Sequence, residues 1–429
     1  MATKTINVDY IARVEGEGSL TLDIRDGTVE GVRLSIFEPP RFFEAMLRGR
    51  RYDEVLDIVA RICGICPIAY QMSGVAAIED ALGLDVEPPI HALRRLLYCG
   101  EWIESHSLHI AMLHAPDFLG YPDAMAMARD HGDAVRRALA LKKVGNELLR
   151  LLGGREIHPV NVRVGGFYRV PRRTEFAPVA ESLKRARDHA IETLRWAASF
   201  PFPNCARDYE FVALRDPIEY PMNHGRIVSS AGLDIAAADY EDEFLERQVP
   251  YSTALQSTLK RRGAYLVGAM ARYALNRDRL SRELQGLADE AGIGAGCRNP
   301  FKSILVRAVE VVYACGEALR LIADYEPPSQ PYATTEPRAA VGYGCTEAPR
   351  GVLYHHYKID SDGAIAGARI VPPTAQNQGT MEEDLRAVAT AGLDLDEERL
   401  RANCEQSIRN HDPCISCAAH FLTLNVNRA

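Results

Sequence analysis

The first part of the chain alternates apolar and polar residues with a period of two. Residues 5–8, 19–24 and 28–36 carry this alternation, which is typical of strands with one buried face. The Asp26-Gly27 pair between the last two segments favours a tight hairpin turn. We therefore expect residues 1–38 to form a β-rich region.

After Pro40 the apolar residues recur every three or four positions, which predicts helices. These stretches, bounded by Pro and Gly residues, cover residues 68–82, 88–113, 124–152, 175–198, 251–290 and 300–325. The remaining segments are predicted to be of other kinds: mixed structure with short strands over 204–250, a loop over 327–337, a hairpin over 352–371 with its turn at Asp362-Gly363, and helices over the final 40 or so residues.

The order of these elements predicts an α+β fold that is predominantly helical, with a bundle of long helices at its centre. Strands and helices do not alternate regularly, which argues against a doubly wound sheet. We expect one large domain over residues 1–420, made of the β-rich part, a helical body over 40–330 and a C-terminal part over 331–420.

Composition and charge exclude several classes of protein. Of the 429 residues, 47% are hydrophobic and 25% charged, as in ordinary globular proteins. The net charge of −8 argues against non-specific binding of nucleic acid. Neither a secretory signal nor a run of about 18 apolar residues is visible, so we expect a cytoplasmic protein without membrane insertion. Its thiols would then stay reduced.

Four of the ten cysteines form two pairs, Cys63-Gly-Ile-Cys66 and Cys414-Ile-Ser-Cys417. Four thiolates suit zinc, an iron–sulfur cluster or another thiophilic metal. The pairs are 414 − 66 = 348 residues apart, whereas a zinc ribbon closes over about 15–20 residues. A long-range structural zinc site and two separate redox pairs remain open at this point. We expect the other six to be buried apolar thiols: Cys99, Cys205, Cys297, Cys315, Cys345 and Cys404.

The residues around the two pairs, 61–71 and 411–420, resemble the two signature motifs of the large subunit of nickel–iron hydrogenases. Further blocks resemble that family in the same order along the chain: residues 13–16, 41–44, 104–106, 114–117, 347–351 and 372–377. The resemblance is strongest to the cytoplasmic NAD(P)-linked group, including the sulfhydrogenases. It implies the nickel–iron hydrogenase large-subunit fold, in which residues 331–420 close the metal site.

The resemblance also implies a set of metal ligands. Cys63 and Cys414 match the terminal nickel ligands, and Cys66 and Cys417 the ligands that bridge nickel to an iron carrying two cyanides and one carbon monoxide. A second metal, magnesium, would be bound by Glu44, the backbone carbonyl of Ile370, and His420. A lone histidine is unusual for magnesium, which prefers oxygen ligands.

Six further residues match functional positions of that family. Glu15 would be the first proton relay from a terminal cysteine, although without the resemblance it would be read as a surface residue. Arg350 would overhang the open metal position, oriented by Asp117 and Asp412. Thr374 would supply a hydroxyl group to a cyanide, and Pro349 would pack beside Arg350.

Tyr70 departs from the family, which usually has histidine at this position. A tyrosine can donate a hydrogen bond to a bridging sulfur but cannot carry a positive charge. Three histidines, His106, His109 and His114, are compatible with a proton or electron path facing the small subunit, and equally with core or interface residues.

The resemblance implies reversible conversion of dihydrogen into protons and electrons. The electrons would pass through an iron–sulfur small subunit and flavin and iron–sulfur diaphorase subunits to NADP or NAD, with sulfur reduction as a side activity. A maturation endopeptidase would remove residues 421–429, leaving His420 as the end of the mature chain. Two alternatives are a related redox subunit without hydrogenase activity and a zinc-stabilised structural subunit.

Overall fold

The computed structural model describes residues 3–38 and 42–420; the predicted cleaved extension, 421–429, lies outside the described residues. The chain begins with an antiparallel sheet of β1 (Thr3–Val8), β2 (Gly18–Arg25) and β3 (Thr28–Ile36), in that order. Asp26 and Gly27 both have positive φ, 49° and 75°, as a type I′ turn requires. The predicted β-rich start and its hairpin are confirmed.

Helices make up about half of the described chain. They are α1 (Phe43–Leu47), α2 (Val55–Val59), α3 (Pro67–Leu82), α4 (Pro88–Leu108), α5 (Ala115–Leu119), α6 (Ala124–Met127), α7 (Gly132–Gly153), α8 (Ala177–Ala198), α9 (Tyr240–Glu243), α10 (Ala269–Asn276), α11 (Arg282–Glu290), α12 (Ser303–Ala323), α13 (Pro373–Ala391), α14 (Glu397–Asn410) and α15 (Ile415–Ala418). The long helices α4, α7, α8 and α12 pack on one another as the predicted central bundle. Among the described helices, none has the length and apolar character that crossing a membrane would require.

The remaining strands form small antiparallel sheets. They are β4 (Val162–Arg163), β5 (Gly166–Phe167), β6 (Val212–Arg215), β7 (Arg226–Ser229), β8 (Asp234–Ile235), β9 (Phe244–Gln248), β10 (Leu255–Leu259), β11 (Ala340–Ala348), β12 (Gly351–Ile359) and β13 (Ile365–Val371). Strands β12 and β13 are the predicted hairpin, and β11 completes their sheet.

The β11–β12–β13 sheet lies directly on α3, the helix that follows the first cysteine pair. Gly342 and Gly344 make this possible, because a Cβ atom on either would come within 2.2 Å of a backbone oxygen of α3. The close contact fixes the end of β11, at Ala348, relative to the start of α3, at Pro67.

Three predicted helical segments differ from the structure. Residues 251–290 are not one helix, because Leu255–Leu259 pair as strand β10 with β9 before α10 and α11 begin. The helix predicted over 88–113 is α-helical only to Leu108, and continues as a π-helix over His109–His114. The helix predicted over 124–152 is interrupted between α6 and α7, where Gly132 begins the second helix.

Candidate metal centre

The two cysteine pairs meet in one buried cluster. Cys66 lies immediately before α3, and Cys417 lies within α15. The Sγ atoms of Cys63 and Cys414 are 3.5 Å apart, and those of Cys66 and Cys417 are 3.9 Å apart. All four sulfurs lie within 4.8 Å of one another. The structure therefore brings both ends of the chain together at a set of atoms able to bind a metal.

The electrostatics of the cluster fit a soft cation. Burial raises the pKa of the Cys414 and Cys417 thiols, so deprotonating several thiols here requires a compensating positive charge. The backbone N–H groups of Ile65 and Cys66 point at the Cys63 sulfur, at 3.3 and 3.2 Å. Buried sulfur atoms are soft ligands, and nearby N–H groups stabilise a thiolate, so this cluster suits a thiophilic transition metal.

Four of the other cysteines, Cys99, Cys315, Cys345 and Cys404, are buried as expected. Cys205 and Cys297 are only partly buried, so the prediction that all six are core residues is wrong for these two. Both lie in irregular segments, outside the helices and strands that enclose the core.

Glu15 touches the cluster directly. Its backbone carbonyl accepts a hydrogen bond from Ile415 at 2.8 Å. Its carboxylate accepts one from the Cys414 thiol at 3.1 Å and one from the backbone N–H of Ser416 at 3.0 Å. The residue is partly exposed, so its carboxylate lies between the buried sulfurs and the surface of the chain.

Arg350 lies in the turn between β11 and β12 and is buried. Its guanidinium donates to the carbonyl oxygen of Asp412 at 2.8 Å and to the carboxylate of Asp412 at 3.1 Å. The Asp412 charge raises the pKa of Arg350 against the effect of burial, and the cysteine sulfurs add to this. A permanent positive charge is thus held beside the cysteine cluster, and Asp412 bonds to it through both its backbone carbonyl and its carboxylate.

Asp117 does not orient Arg350. Its carboxylate oxygens instead accept hydrogen bonds from Arg409, at 2.7 and 2.9 Å, and a further one from Arg13. These two arginines approach from α14 and from the segment after β1, and they take up both oxygens of the carboxylate. The expected contact between Asp117 and Arg350 is therefore wrong, and Asp117 joins three parts of the chain instead.

Thr374 contacts the second cysteine pair, and Pro349 lies in the turn that carries Arg350. The hydroxyl oxygen of Thr374 accepts a hydrogen bond from the backbone N–H of Cys414 at 2.9 Å, which leaves its own O–H free to donate to another group. Pro349 directly precedes Arg350, and its carbonyl accepts a hydrogen bond from Arg272 at 2.8 Å.

The predicted magnesium ligands line one cavity of about 150 Å³, which also reaches Cys417. The carboxylate of Glu44 lies 3.2 Å from Nε2 of His420 and accepts a hydrogen bond from the backbone N–H of Ile370 at 2.8 Å. The structure thus brings the three residues together. The observed contact of Ile370 is made by its N–H group, whereas the expected ligand is its carbonyl.

Comparison with known proteins decides the family. The model of nickel-dependent hydrogenases matches residues 41–138 and 319–420, the two segments that contain the cysteine pairs. Sulfhydrogenase 1 subunit alpha of Pyrococcus furiosus is 34% identical, and the alignment covers 98% of both chains. Sulfhydrogenase 2 subunit alpha of the same organism is 35% identical over 98% of this chain and all of that one. The chain belongs to the nickel-dependent hydrogenases.

Solved structures agree with this assignment. A chain of the NAD⁺-reducing [NiFe]-hydrogenase in the H₂-reduced state superposes with a TM-score of 0.88 at 25% identity, covering 98% of this chain and 100% of that one. The [NiFeSe]-hydrogenase of Dm. baculatum, at 23% identity and a TM-score of 0.81, supports the fold alone. The α+β, predominantly helical architecture is therefore the fold of the nickel–iron hydrogenase large subunit.

In this hydrogenase, Tyr70 lies on α3 and is buried. Burial raises the pKa of its phenol, and the four neighbouring cysteines raise it further. The phenol therefore keeps its proton. Its oxygen has no hydrogen-bond partner among the described residues, so the hydroxyl group remains able to donate to a ligand or thiolate of the metal centre.

The three histidines lie inside the hydrogenase chain. His106 contacts Glu310 at 3.0 Å, and His109 contacts the carbonyl of Arg409 at 2.8 Å. His114 has neither ring nitrogen bonded to any described residue. Burial lowers the pKa of all three, which favours neutral imidazoles at neutral pH.

Two residues near the site of this hydrogenase had no counterpart in the sequence motifs. Glu246 is a buried carboxyl group whose pKa burial raises to about 7, with the charges of Arg369, His420 and Glu44 close by. Arg272 is completely buried and contacts the turn that carries Arg350. Neither has a diagnostic spacing, and only the folded chain brings them to the site.

Proposed function

We propose that this large subunit catalyses the reversible conversion of dihydrogen into two protons and two electrons. The observation that carries the proposal is the buried cluster of four cysteines, with Glu15 on one of its sulfurs and Arg350 beside it. A structural zinc site requires neither a carboxylate on one of its sulfurs nor a buried guanidinium beside them.

Four thiolates would hold the nickel–iron centre, with Cys63 and Cys414 as terminal nickel ligands and Cys66 and Cys417 bridging to iron. Bound there, a nickel–iron centre with two cyanides and one carbon monoxide on iron supplies the site at which dihydrogen binds and splits heterolytically. The free O–H of Thr374 suits a hydrogen bond to a cyanide nitrogen, and Pro349 keeps the turn next to it rigid.

Residues of this chain would accept the proton and transfer it away from the metal centre. As a thiolate, the Cys414 sulfur can accept a proton. The Glu15 carboxylate lies 3.1 Å from this sulfur, which is close enough for direct proton transfer. From Glu15 the proton would continue outward, because Glu15 is partly exposed; the hydroxyl group of Ser416 donates to the Glu38 carboxylate nearby, at 3.0 Å. Arg350 keeps a positive charge close to the reacting atoms without supplying a proton.

A magnesium ion at Glu44, Ile370 and His420 would brace the last residues of the chain against β13. Carboxylate and carbonyl oxygens suit a hard cation, and the existing contact between Glu44 and His420 brings two of the proposed ligands together. Glu246 supplies a further acidic group to the same region.

Electrons would leave through partner subunits. Among the described residues, Cys63, Cys66, Cys414 and Cys417 form the one cluster of cysteines close enough to share a metal, so we place the iron–sulfur clusters for electron transfer in another chain. We propose an iron–sulfur small subunit and flavin-bearing diaphorase subunits that reduce NADP or NAD. The names of the sulfhydrogenase and NAD⁺-reducing relatives support this arrangement, and they support sulfur reduction as a side activity.

The remaining proposals concern the chain as a whole. Residues 1–420 would form one catalytic domain of a cytoplasmic protein. An endopeptidase would remove residues 421–429 after metal insertion, so that the mature chain ends at His420. Mass spectrometry of active enzyme should give that C-terminus; an intact extension in active enzyme would contradict the cleavage.

The experiment that tests the function is metal analysis of the purified complex together with its infrared spectrum. We expect about one nickel and one iron in the large subunit, with absorption bands of cyanide and carbon monoxide, and hydrogen-dependent reduction of a viologen dye. The matched variants Cys414→Ser and Cys404→Ser separate the cluster from the other buried thiols: the first should lose nickel and activity, the second neither. Zinc alone would favour a structural subunit, and iron without the infrared bands a redox subunit without hydrogenase activity.

A further inference from the structure

Arg350 is presented by a very short turn. Ala348 at the end of β11 pairs with Gly351 at the start of β12, so Pro349 and Arg350 alone make the connection. A two-residue turn has few backbone angles to adjust. The direction of the Arg350 side chain therefore depends on how firmly this turn is held.

The turn is held by Arg272, a fully buried residue of α10. Its guanidinium donates to the carbonyl of Ala348 at 2.7 Å and to that of Pro349 at 2.8 Å. Its other three N–H bonds go to Glu310, at 2.9 and 2.8 Å, and to Glu347, at 2.9 Å. All five donors of the guanidinium are thus used, and two of them go to the backbone of the turn.

A second buried side chain extends this contact. The indole N–H of Trp102 donates to the carbonyl of Glu347 at 3.2 Å. The same indole ring lies 4.4 Å from the Arg272 guanidinium, in a cation–π contact. Three successive carbonyls, from residue 347 to residue 349, therefore each accept a hydrogen bond from a buried side chain.

The other side of the turn is closed by backbone packing. A Cβ atom on Gly268, at the start of α10, would lie 2.7 Å from the carbonyl oxygen of Arg350. Gly268 has φ +107°, a value that side-chain-bearing residues rarely adopt. The Arg350 backbone thus lies between the start of α10 and the guanidinium of the same helix, with no room to shift toward Gly268.

We propose that Arg272 is a positioning residue for hydrogen activation: it fixes the backbone of the 349–350 turn and thereby the direction of the Arg350 guanidinium. This proposal rests on the proposed function, since Arg272 acts through Arg350 and contacts neither the cysteines nor a substrate. Displacement of a catalytic group by about 1 Å can lower a rate by roughly a hundredfold.

The test is Arg272→Lys in the assembled enzyme. A lysine keeps the charge that Glu310 needs, but its single ammonium group cannot bond both turn carbonyls and both glutamates at once. We expect nickel and iron contents to stay the same, turnover to fall at least tenfold, and amide hydrogen exchange at residues 350–352 to rise. The matched control is Arg94→Lys, which also breaks a buried two-bond ion pair, here with Glu79, and should change neither the turnover nor the exchange at the turn.

A double variant distinguishes positioning from general destabilisation. If Arg272 acts through Arg350, Arg272→Lys should lower turnover no further in an enzyme that already carries Arg350→Lys. A second full tenfold loss in the double variant, or unchanged exchange at the turn in Arg272→Lys, would overturn the proposal. Full turnover in Arg350→Lys alone would instead refute the role of Arg350 in the proposed function, while faster exchange in Arg272→Lys would still support its hold on the turn.

A milder variant covers the case in which Arg272→Lys does not fold. Trp102→Phe keeps an aromatic ring under the guanidinium, but it removes the N–H bond to the Glu347 carbonyl and part of the ring that contacts Arg272. We expect a smaller rise in exchange at the turn, accompanied by a smaller loss of turnover. Unchanged exchange together with unchanged turnover would overturn the proposal.

Discussion

The replacement Glu15→Gln tests the proton relay most directly. The amide oxygen of glutamine can still accept the N–H of Ser416, now at 3.0 Å from the carboxylate, so the shape of the site is retained. The amide cannot take the proton of the Cys414 thiol, which now lies 3.1 Å from the carboxylate. The variant therefore removes one chemical property and keeps the packing.

The expected size of the effect follows from these contacts. Loss of a positioned acid–base group lowers a rate by about 10²–10⁴-fold, which corresponds to roughly 3–5 kcal/mol in the activation barrier. The stability cost should stay within about 1 kcal/mol, because one ordinary hydrogen bond replaces a charge-assisted one. Turnover should thus fall far more than stability.

The assay is hydrogen oxidation with a viologen dye, with nickel, iron and the infrared bands measured on the same sample. Glu17→Gln is the matched control, since Glu17 lies two residues away with its side chain exposed, and it should keep full turnover. If the Glu15→Gln enzyme holds both metals and works within about threefold of the original rate, Glu15 is not the relay.

Three further predictions concern stability. Asp117→Asn should destabilise the fold by about 3–5 kcal/mol in denaturant unfolding, because it leaves Arg13 and Arg409 without their shared buried carboxylate. Burial raises the pKa of Glu347 to about 7 despite Arg272, so the folded state favours the protonated carboxyl group. Stability should therefore fall between about pH 5 and pH 8, by an amount on the order of 3 kcal/mol that Glu347→Gln abolishes. In metal-free protein, Tyr70→Phe should be neutral or stabilising by about 1 kcal/mol in the same unfolding assay, since it removes a buried hydroxyl group without a partner among the described residues.

Each of these has a control. Asp133→Asn breaks an ion pair whose partners are both largely exposed and should cost less than about 1 kcal/mol; an equal cost for both aspartates would contradict the role of Asp117. Equal slopes of stability against pH in the Glu347→Gln variant and the original protein would contradict the pKa assignment. Tyr98→Phe removes a hydroxyl group bonded to Thr346 at 2.6 Å and should destabilise by about 1–3 kcal/mol, whereas a matching loss for Tyr70→Phe would show that its hydroxyl group is already bonded.

Local patterns were sufficient to predict the elements that depend on local chemistry. The Asp26-Gly27 turn adopts the positive φ angles that its residues favour, and α3 ends at Gly83 in the left-handed conformation. The segment Leu255–Leu259 was mispredicted because its leucines lie four residues apart, as in a helix, while pairing with β9 decides its structure. Tertiary contacts override such short patterns.

The residues of the site likewise fall into those that a local sequence pattern predicts and those that only tertiary contacts determine. The cysteines could be found from their spacing and flanking residues, because a metal centre requires those particular side chains. The partners of Asp117 could not, because only the packing of α14 and the N-terminal segment brings Arg409 and Arg13, rather than Arg350, to its carboxylate. No sequence pattern around Arg272 predicts its role either, because that role depends on the packing of α10, which brings its guanidinium to the carbonyls of Ala348 and Pro349.

The cluster joins residues that are 351 positions apart, from Cys63 to Cys414. At the usual elongation rate of 5–20 residues per second, the ribosome needs about 20–70 s to add the second pair after the first. During that time Cys63 and Cys66 lack the sulfurs of the second pair, and Ile415 has not yet bonded to Glu15. The complete set of four sulfurs therefore first exists only after synthesis of residue 417, so the docking of α15 is the step that completes the cluster.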